Sequence, residues 1–152
     1  MQKNNNLDHL LGIRMSGALL VMKALLVNEF ESKKQYLSFE EWMNLLPILE
    51  NHDLTQKDYA KLLGKDKTTI SRMLKSWEMR GIVKRETSQK DGRAVVLSLT
   101  PKAKNYHDQA KPIVFAIDRI FKEALDKEEE ERFLFLLQKI KHATEEELLK
   151  RL

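Results

Sequence analysis

The sequence contains no cysteine among its 152 residues. Without thiols the chain forms no disulfide, thiolate metal site or thiol-based redox sensor, and it fits a reducing compartment. The segment Met1 to Asp8 is polar and lacks the apolar core of a secretory signal. The longest apolar run, residues 18–27, is interrupted by Lys23 and is too short to span a bilayer. These absences predict a cytoplasmic protein with no membrane partner.

Glycine and proline are scarce as well, at five and three residues, so long helices should dominate. Apolar residues at helical spacing predict a first helix from about Leu7 to Glu31. Capping patterns at Ser38 and Thr55 open the second and third helices. Further helices are expected at 67–80, from 101 to about 125, and from about 127. Pro47 should kink the second helix or cost it a hydrogen bond, and Pro112 should interrupt the fifth.

Two short segments change to an extended pattern. Residues 82–87 and 94–99 are rich in β-branched side chains, and Asp91-Gly92 between them is a strong turn signal. The pair predicts a β-hairpin. The expected fold class is therefore mainly α with a small β-hairpin wing, arranged as a winged helix-turn-helix with further helices before and after it.

Positive charge is concentrated in one part of the chain. Residues 61–93 hold ten Lys/Arg against four Asp/Glu, whereas the whole chain has a net charge of only +4. Such a local basic patch is the electrostatic footprint that a phosphate backbone requires. A solvated, lysine-rich face would give the same count, so charge alone leaves both interpretations open.

The helix at 67–80 carries two distinct faces. Ile70, Met73, Leu74 and Trp77 form one apolar stripe, which we expect to be core. The other face offers hydroxyls and cations, which suit the phosphates and base edges of a major groove. The candidate DNA-binding residues on this face are Lys67, Thr68, Thr69, Ser71, Arg72 and Lys75.

The tip of the predicted hairpin supplies three more candidates for DNA binding. Lys90, Asp91 and Arg93 surround a glycine, and arginine is favoured in narrow minor grooves. Arg72 on the helix is the expected bidentate partner of a guanine, and the lysines should neutralise phosphates. Thr68 and Thr69 lie near the helix N-terminus, which favours an anion.

Three motifs together resemble the MarR (multiple-antibiotic-resistance regulator) family. They are Leu54–Gly64, Asp66–Lys75, and Asp91-Gly-Arg93 followed by Leu99-Thr100. The resemblance implies a homodimeric bacterial transcription regulator, of repressor type, on a pseudo-palindromic operator of double-stranded DNA. It implies a DNA-binding domain at 36–100 and a dimerisation region at 1–35 and 101–152. Arg93 would be the wing-tip arginine, and Asp91 would be its orienting carboxylate or a partner in fixing the wing.

The resemblance also raises the question of an effector. Some members of the family bind small aromatic or phenolic ligands between the dimer helices and the DNA-binding part. Ordinary packing would explain the same residues, so this alternative stays open. The candidate lining residues are Met15, Met22, Trp42, Met43, Leu46 and Tyr106.

Other functions have less support in the sequence. The four histidines show no metal-ligand spacing, and we expect no metal and no cofactor. Glu128–Glu131 is expected to be a solvated helix start. No Ser/His/Asp set, phosphate loop or paired-carboxylate arrangement is identifiable, so we expect no enzyme. The alternative is a winged-helix protein–protein interaction module without specific DNA binding.

Overall fold

The computed structural model describes residues 7–88 and 92–150, which form six helices and one hairpin within those ranges. Residues 1–113 form one compact unit and residues 114–152 a second. The fold class is the expected one, mainly helical with a small antiparallel wing. In chain order the elements are α1 (Leu11–Ser32), α2 (Phe39–Glu50), α3 (Gln56–Leu62), α4 (Lys67–Met79), β1 (Val83–Thr87), β2 (Val95–Leu99), α5 (Pro101–Glu123) and α6 (Lys127–Lys150).

The first helix differs from the sequence prediction at its start. Leu7–His9 is a short 3₁₀ turn, and Leu10 has an extended backbone before α1 begins at Leu11. The helix then continues to Ser32, so it is longer than the uninterrupted apolar run on which the membrane argument relied. By length and composition alone α1 could cross a membrane, and this corrects the expectation that no segment was long enough.

The helix starts predicted from capping patterns are confirmed. Ser38 accepts a hydrogen bond from the Glu41 N–H, and the Glu41 carboxylate accepts one from the Ser38 N–H at 3.2 Å. Thr55 caps α3 through the Asp58 N–H at 3.1 Å. Asp66 caps α4 in the same manner. Each cap satisfies backbone donors that would otherwise lack a partner at a helix start.

Pro47 and Pro112 both lie within helices. Pro112 lies inside α5 without interrupting it, so that prediction is wrong. A helix can continue past proline because only one intrahelical hydrogen bond is removed, and packing on neighbouring elements can offset that loss. Pro47 likewise lies inside α2, which continues to Glu50.

The core of the first unit lies under α4. Ile70, Leu74 and Trp77 are buried, as the apolar stripe predicted, whereas Met73 is only partly buried. The stripe packs against side chains from the loop before α2, from α2, α3, the two strands and α5. Burial of these side chains fixes which face of α4 points inward.

The hairpin is tied to the start of α3. Its antiparallel register pairs Val83 with Leu99 and Thr87 with Val95. Thr55 forms a bridge with Val96, and the Leu97 N–H donates to the Leu54 carbonyl at 3.0 Å. Strand β2 of the wing is therefore bonded directly to the residues at the start of α3.

The second unit contains the end of α5 and all of α6. Asp126 caps α6 by accepting from the Glu129 N–H, and the Glu129 carboxylate accepts from the Asp126 N–H, both at 2.9 Å. The acidic run is thus a helix start, as expected. Large apolar side chains of this unit are exposed, namely Phe115, Ile120, Phe133, Leu134, Phe135 and Leu136.

Candidate nucleic-acid interface

The start of α4 is organised by Asp66. Its carboxylate accepts the Thr69 N–H at 2.9 Å and the Thr69 hydroxyl at 2.5 Å. These hydrogen bonds lower the pKa of Asp66, the one from the Thr69 hydroxyl most strongly, so the carboxylate stays ionised at neutral pH. The chain's own carboxylate therefore occupies the anion-favouring position of this helix, and the Thr69 hydroxyl is left with acceptor capacity.

The candidate residues on α4 share the face that the core leaves free. Five of the six side chains are exposed, and that of Ser71 is partly buried. The buried stripe occupies the opposite side of the helix. A helix anchored along one side and free along the other can enter the major groove of B-DNA. The exposed five are Lys67, Thr68, Thr69, Arg72 and Lys75.

An open cleft of about 560 Å³ lies beside this face. Three elements each contribute one cation to its lining: Lys57 from α3, Lys67 from α4 and Arg93 from the base of the wing. Because the three cations line one cleft, a DNA phosphate backbone that lies in it can contact all of them. The sequence analysis did not single out Lys57, because the basic segment was counted from residue 61 onward. Its place in the first turn after the Thr55 cap is the signal that could have identified it.

Of the three candidate DNA-binding residues in the wing, the structure describes only Arg93. Arg93 is exposed, two residues before β2. Below the tip the hairpin is held by a hydrogen bond from the Ser88 N–H to the Ala94 carbonyl at 2.8 Å. Lys90 and Asp91 lie outside the described residues.

None of the six effector candidates lines the cleft beside α4 or either of two smaller cavities in the described part of the chain. Trp42 is buried and Met43 is exposed. Tyr106 stacks on Tyr36, with 4.3 Å between the ring centroids. Partial burial is common to the other three, namely Met15, Met22 and Leu46.

Trp42 has an aromatic neighbour that the sequence analysis missed. Its indole stacks on the His107 ring at 5.4 Å with an interplanar angle of 7°. Among the described residues, Trp42 Nε1 and His107 Nδ1 are buried without a hydrogen-bond partner. Burial lowers the pKa of His107, and the nearby Lys111 lowers it further. Each of the two stacked rings therefore has one buried nitrogen without a hydrogen-bond partner, and such atoms are costly to bury.

No group of three or more His, Asp or Glu side chains in residues 7–88 and 92–150 is arranged to hold a metal ion.

Comparison with known proteins places this geometry among regulators. The sequence profile of the MarR family matches residues 37–94, which cover α2 to the base of the wing. The organic hydroperoxide resistance transcriptional regulator of Bacillus subtilis (strain 168) is 33% identical over 78 residues. That alignment covers 46% of this chain and 53% of the relative, so the chain spans about half the length of the curated relative it matches.

Solved structures match over nearly the whole chain. The transcriptional repressor CouR, bound to a 23-mer DNA duplex, is 26% identical, with a TM-score of 0.76, over 92% of this chain and 98% of that one. The S. aureus MepR–DNA complex is 21% identical, with a TM-score of 0.72, over 88% and 97%. Wild-type MarR from E. coli in its apo form is 21% identical, with a TM-score of 0.70, over 86% and 96%. The two matches at 21% identity concern the fold alone.

Proposed function

We propose that the chain is a member of the MarR family and a homodimeric, sequence-specific DNA-binding transcription regulator of the cytoplasm rather than an enzyme. The observation that carries the proposal is the free face of α4, which lies beside a cleft lined by Lys57, Lys67 and Arg93. The CouR structure is described as a repressor bound to DNA, and it supports repression as the mode of action.

Within this proposal each element of the reading head, which we define as residues 55–99, has a separate task. The first nine residues of α4 enter the major groove, where Arg72 reads a guanine through its two-pronged guanidinium. Lys57, Lys67 and Lys75 neutralise phosphates. Thr68 and Ser71 donate to phosphates or base edges, and Thr69 accepts, because its hydrogen is donated to Asp66. The wing tip, Lys90 to Arg93, enters the adjacent minor groove.

We propose that a second copy of the chain covers the exposed apolar side chains of α1 and α6. Leu19, Leu20 and Val21 on α1 are each more than 60% exposed. Large apolar side chains exposed in this way mark an interface. A two-fold dimer would present two reading heads to half-sites about one helical turn apart on a pseudo-palindromic operator. The boundaries 1–35 and 101–152 for dimerisation, and 36–100 for DNA binding, belong to this proposal.

A fluorescence titration tests the function directly. Wild-type protein is used to select a duplex from a random-sequence library, and its dissociation constant is compared with that of a scrambled duplex of the same composition. We expect the selected duplex to bind at least about a thousandfold more tightly. Equal binding to both duplexes would overturn the proposal of a specific reader. A dimer that selects no duplex from the library even at low salt would favour a protein–protein interaction module instead.

Replacing the wing arginine should weaken binding without unfolding the protein. Arg93→Ala is expected to reduce affinity for the selected duplex about tenfold to a hundredfold, since it removes one minor-groove contact from each protomer. Its thermal unfolding should match that of the wild type. The control is Arg119→Ala, which removes the same charge from an exposed position on α5. An unchanged affinity in Arg93→Ala would show that the wing contact is wrong.

We further propose that a small aromatic or phenolic acid binds beside Trp42, with its oxygen accepting from the unpartnered indole N–H. The other lining residues are those expected from the sequence, Met15, Met22, Met43, Leu46 and Tyr106. Titration with hydroxybenzoate should release the DNA, and Trp42→Phe should weaken this effect at least about fivefold, because the donor is lost and the ring is kept. Equal sensitivity of both proteins would contradict the site.

A further inference from the structure

The C-terminal end of α4 is held by a cluster of side chains away from its proposed DNA-binding residues. Arg80 follows the last residue of α4, and both its terminal nitrogens donate hydrogen bonds to the carboxylate of Glu41 in the first turn of α2. The same guanidinium donates to the Tyr36 carbonyl at 3.4 Å and lies 5.1 Å from the centroid of the Tyr36 ring. We call Tyr36, Glu41, Arg80 and Lys102 the α4 clamp.

Glu41 connects the start of α2 with the end of α4. Besides Arg80, its carboxylate accepts the Ser38 N–H at 3.2 Å and the buried Trp77 Nε1 at 3.3 Å. Burial raises the pKa of Glu41, but the hydrogen bonds from Arg80, Ser38 and Trp77 outweigh it and hold the pKa below its usual value. Glu41 therefore remains an ionised acceptor for the start of α2 and the end of α4 together.

Lys102 attaches the same end of α4 to the first turn of α5. Its Nζ donates to the Arg80 carbonyl at 3.2 Å and lies 5.1 and 5.8 Å from the ring centroids of Tyr36 and Tyr106. A cation beside the last carbonyls of a helix is favourable. The end of α4 is thus held by α2, by the loop before α2, and by α5.

We propose that Glu41 and Arg80 are positioning residues that set the direction of α4 in the major groove without touching DNA. The inference rests on the proposed function. Base contacts require placement within about 0.5 Å and 10–20°, and α4 is about 20 Å long at about 1.5 Å per residue. A small tilt at its clamped end therefore displaces the residues at 67–75. Both terminal nitrogens of Arg80 have protein acceptors and its charge is paired with Glu41, so Arg80 is assigned to the protein and not to a phosphate.

The clamp can be weakened without unfolding the protein. The side chains of Arg80 and Glu41 are 31% and 26% exposed, and partly exposed ion pairs contribute little to folding stability. Glutamine at position 41 preserves the capping box at the start of α2, because its side-chain oxygen accepts the same backbone N–H. Glu41→Gln therefore removes the charge and leaves the helix start intact.

The experiment compares Glu41→Gln, Arg80→Gln and the double variant with the wild type, using the duplex that the wild type selects and its scrambled counterpart at several salt concentrations. Each single variant should bind the selected duplex about tenfold more weakly, the equivalent of one lost base contact. The affinity for the scrambled duplex should stay within about twofold of the control. The slope of the logarithm of affinity against the logarithm of salt concentration should stay within about one unit of the control. That control is Arg119→Gln, which has the same charge loss as Arg80→Gln on the exposed surface of α5.

Two further readouts separate positioning from a merely structural role. The double variant should bind no more weakly than either single variant, because each of them breaks the same pair. A structural defect alone would lower the active fraction in a stoichiometric titration and leave the ratio of the two dissociation constants unchanged. If Arg80→Gln keeps the wild-type ratio of the two dissociation constants, or if its affinity depends less steeply on salt, the clamp proposal is overturned and the proposed function is not. Equal binding of both duplexes by the wild type would overturn the proposed function and the clamp with it.

Discussion

Raising the salt concentration from about 50 to about 200 mM should weaken binding to the selected duplex about ten thousandfold. The described reading head places at least four cations against the charge of the DNA in each protomer, namely Lys57, Lys67 and Lys75 at phosphates and Arg93 between the phosphates that flank the minor groove. A dimer would then neutralise about eight phosphates, and the logarithm of affinity should fall with the logarithm of salt concentration with a slope of about −7.

The slope can be assigned to particular residues by substitution. Lys75→Gln should reduce its magnitude by about two, because the dimer loses two phosphate contacts, and it should weaken selected and scrambled duplexes alike. Lys141→Gln removes the same charge from α6, where the lysine pairs with Glu145, and should leave the slope unchanged. A slope between 0 and about −1 for the wild type would contradict phosphate binding by this face.

The helix starts could be predicted from the sequence because their causes are local. Ser38, Thr55 and Asp66 each cap a helix through a residue three positions later, so the pattern and its partner lie within one turn. The apolar stripe of α4 was predictable for the same reason, since one helix face repeats within 13 residues.

The break at Leu10 had no comparable signal. Leu7 and Leu11 satisfy the helical spacing on both sides of it, so periodicity extends the predicted helix through a residue whose backbone is extended. Pro112 is the opposite case, because a local rule predicted an interruption that the helix does not have. Tertiary context can outweigh either local signal.

The parts of the site that escaped prediction depend on contacts between distant residues. Glu41 and Arg80 are 39 positions apart, and the sequence identified Glu41 only as part of a helix cap. Trp42 was a candidate effector residue, but its stacking partner His107 lies on α5. Lys57 joins the cationic cleft only because α3 and the wing meet at the Thr55 bridge. A single sequence gives no spacing rule for such pairs.

Leu74→Ala should destabilise the protein by about 2–5 kcal/mol, because it removes buried methyl groups and leaves a cavity in the close-packed core. Leu74 is 0% exposed and lies on the stripe that carries the DNA-binding face of α4. Small domains have a free energy of unfolding of about 5–15 kcal/mol, so this one substitution removes a large part of the total. Urea unfolding followed by circular dichroism measures the loss.

The chain contains a matched control for this substitution. Leu62, in the last turn of α3, is 63% exposed, so Leu62→Ala makes the same chemical change with little lost burial. Its effect should stay within about 0.5 kcal/mol, and the higher helix propensity of alanine acts in the stabilising direction. Equal losses in the two variants would mean that the stripe does not anchor α4. A large loss in Leu74→Ala alone would show that burial of this one face holds the reading head together.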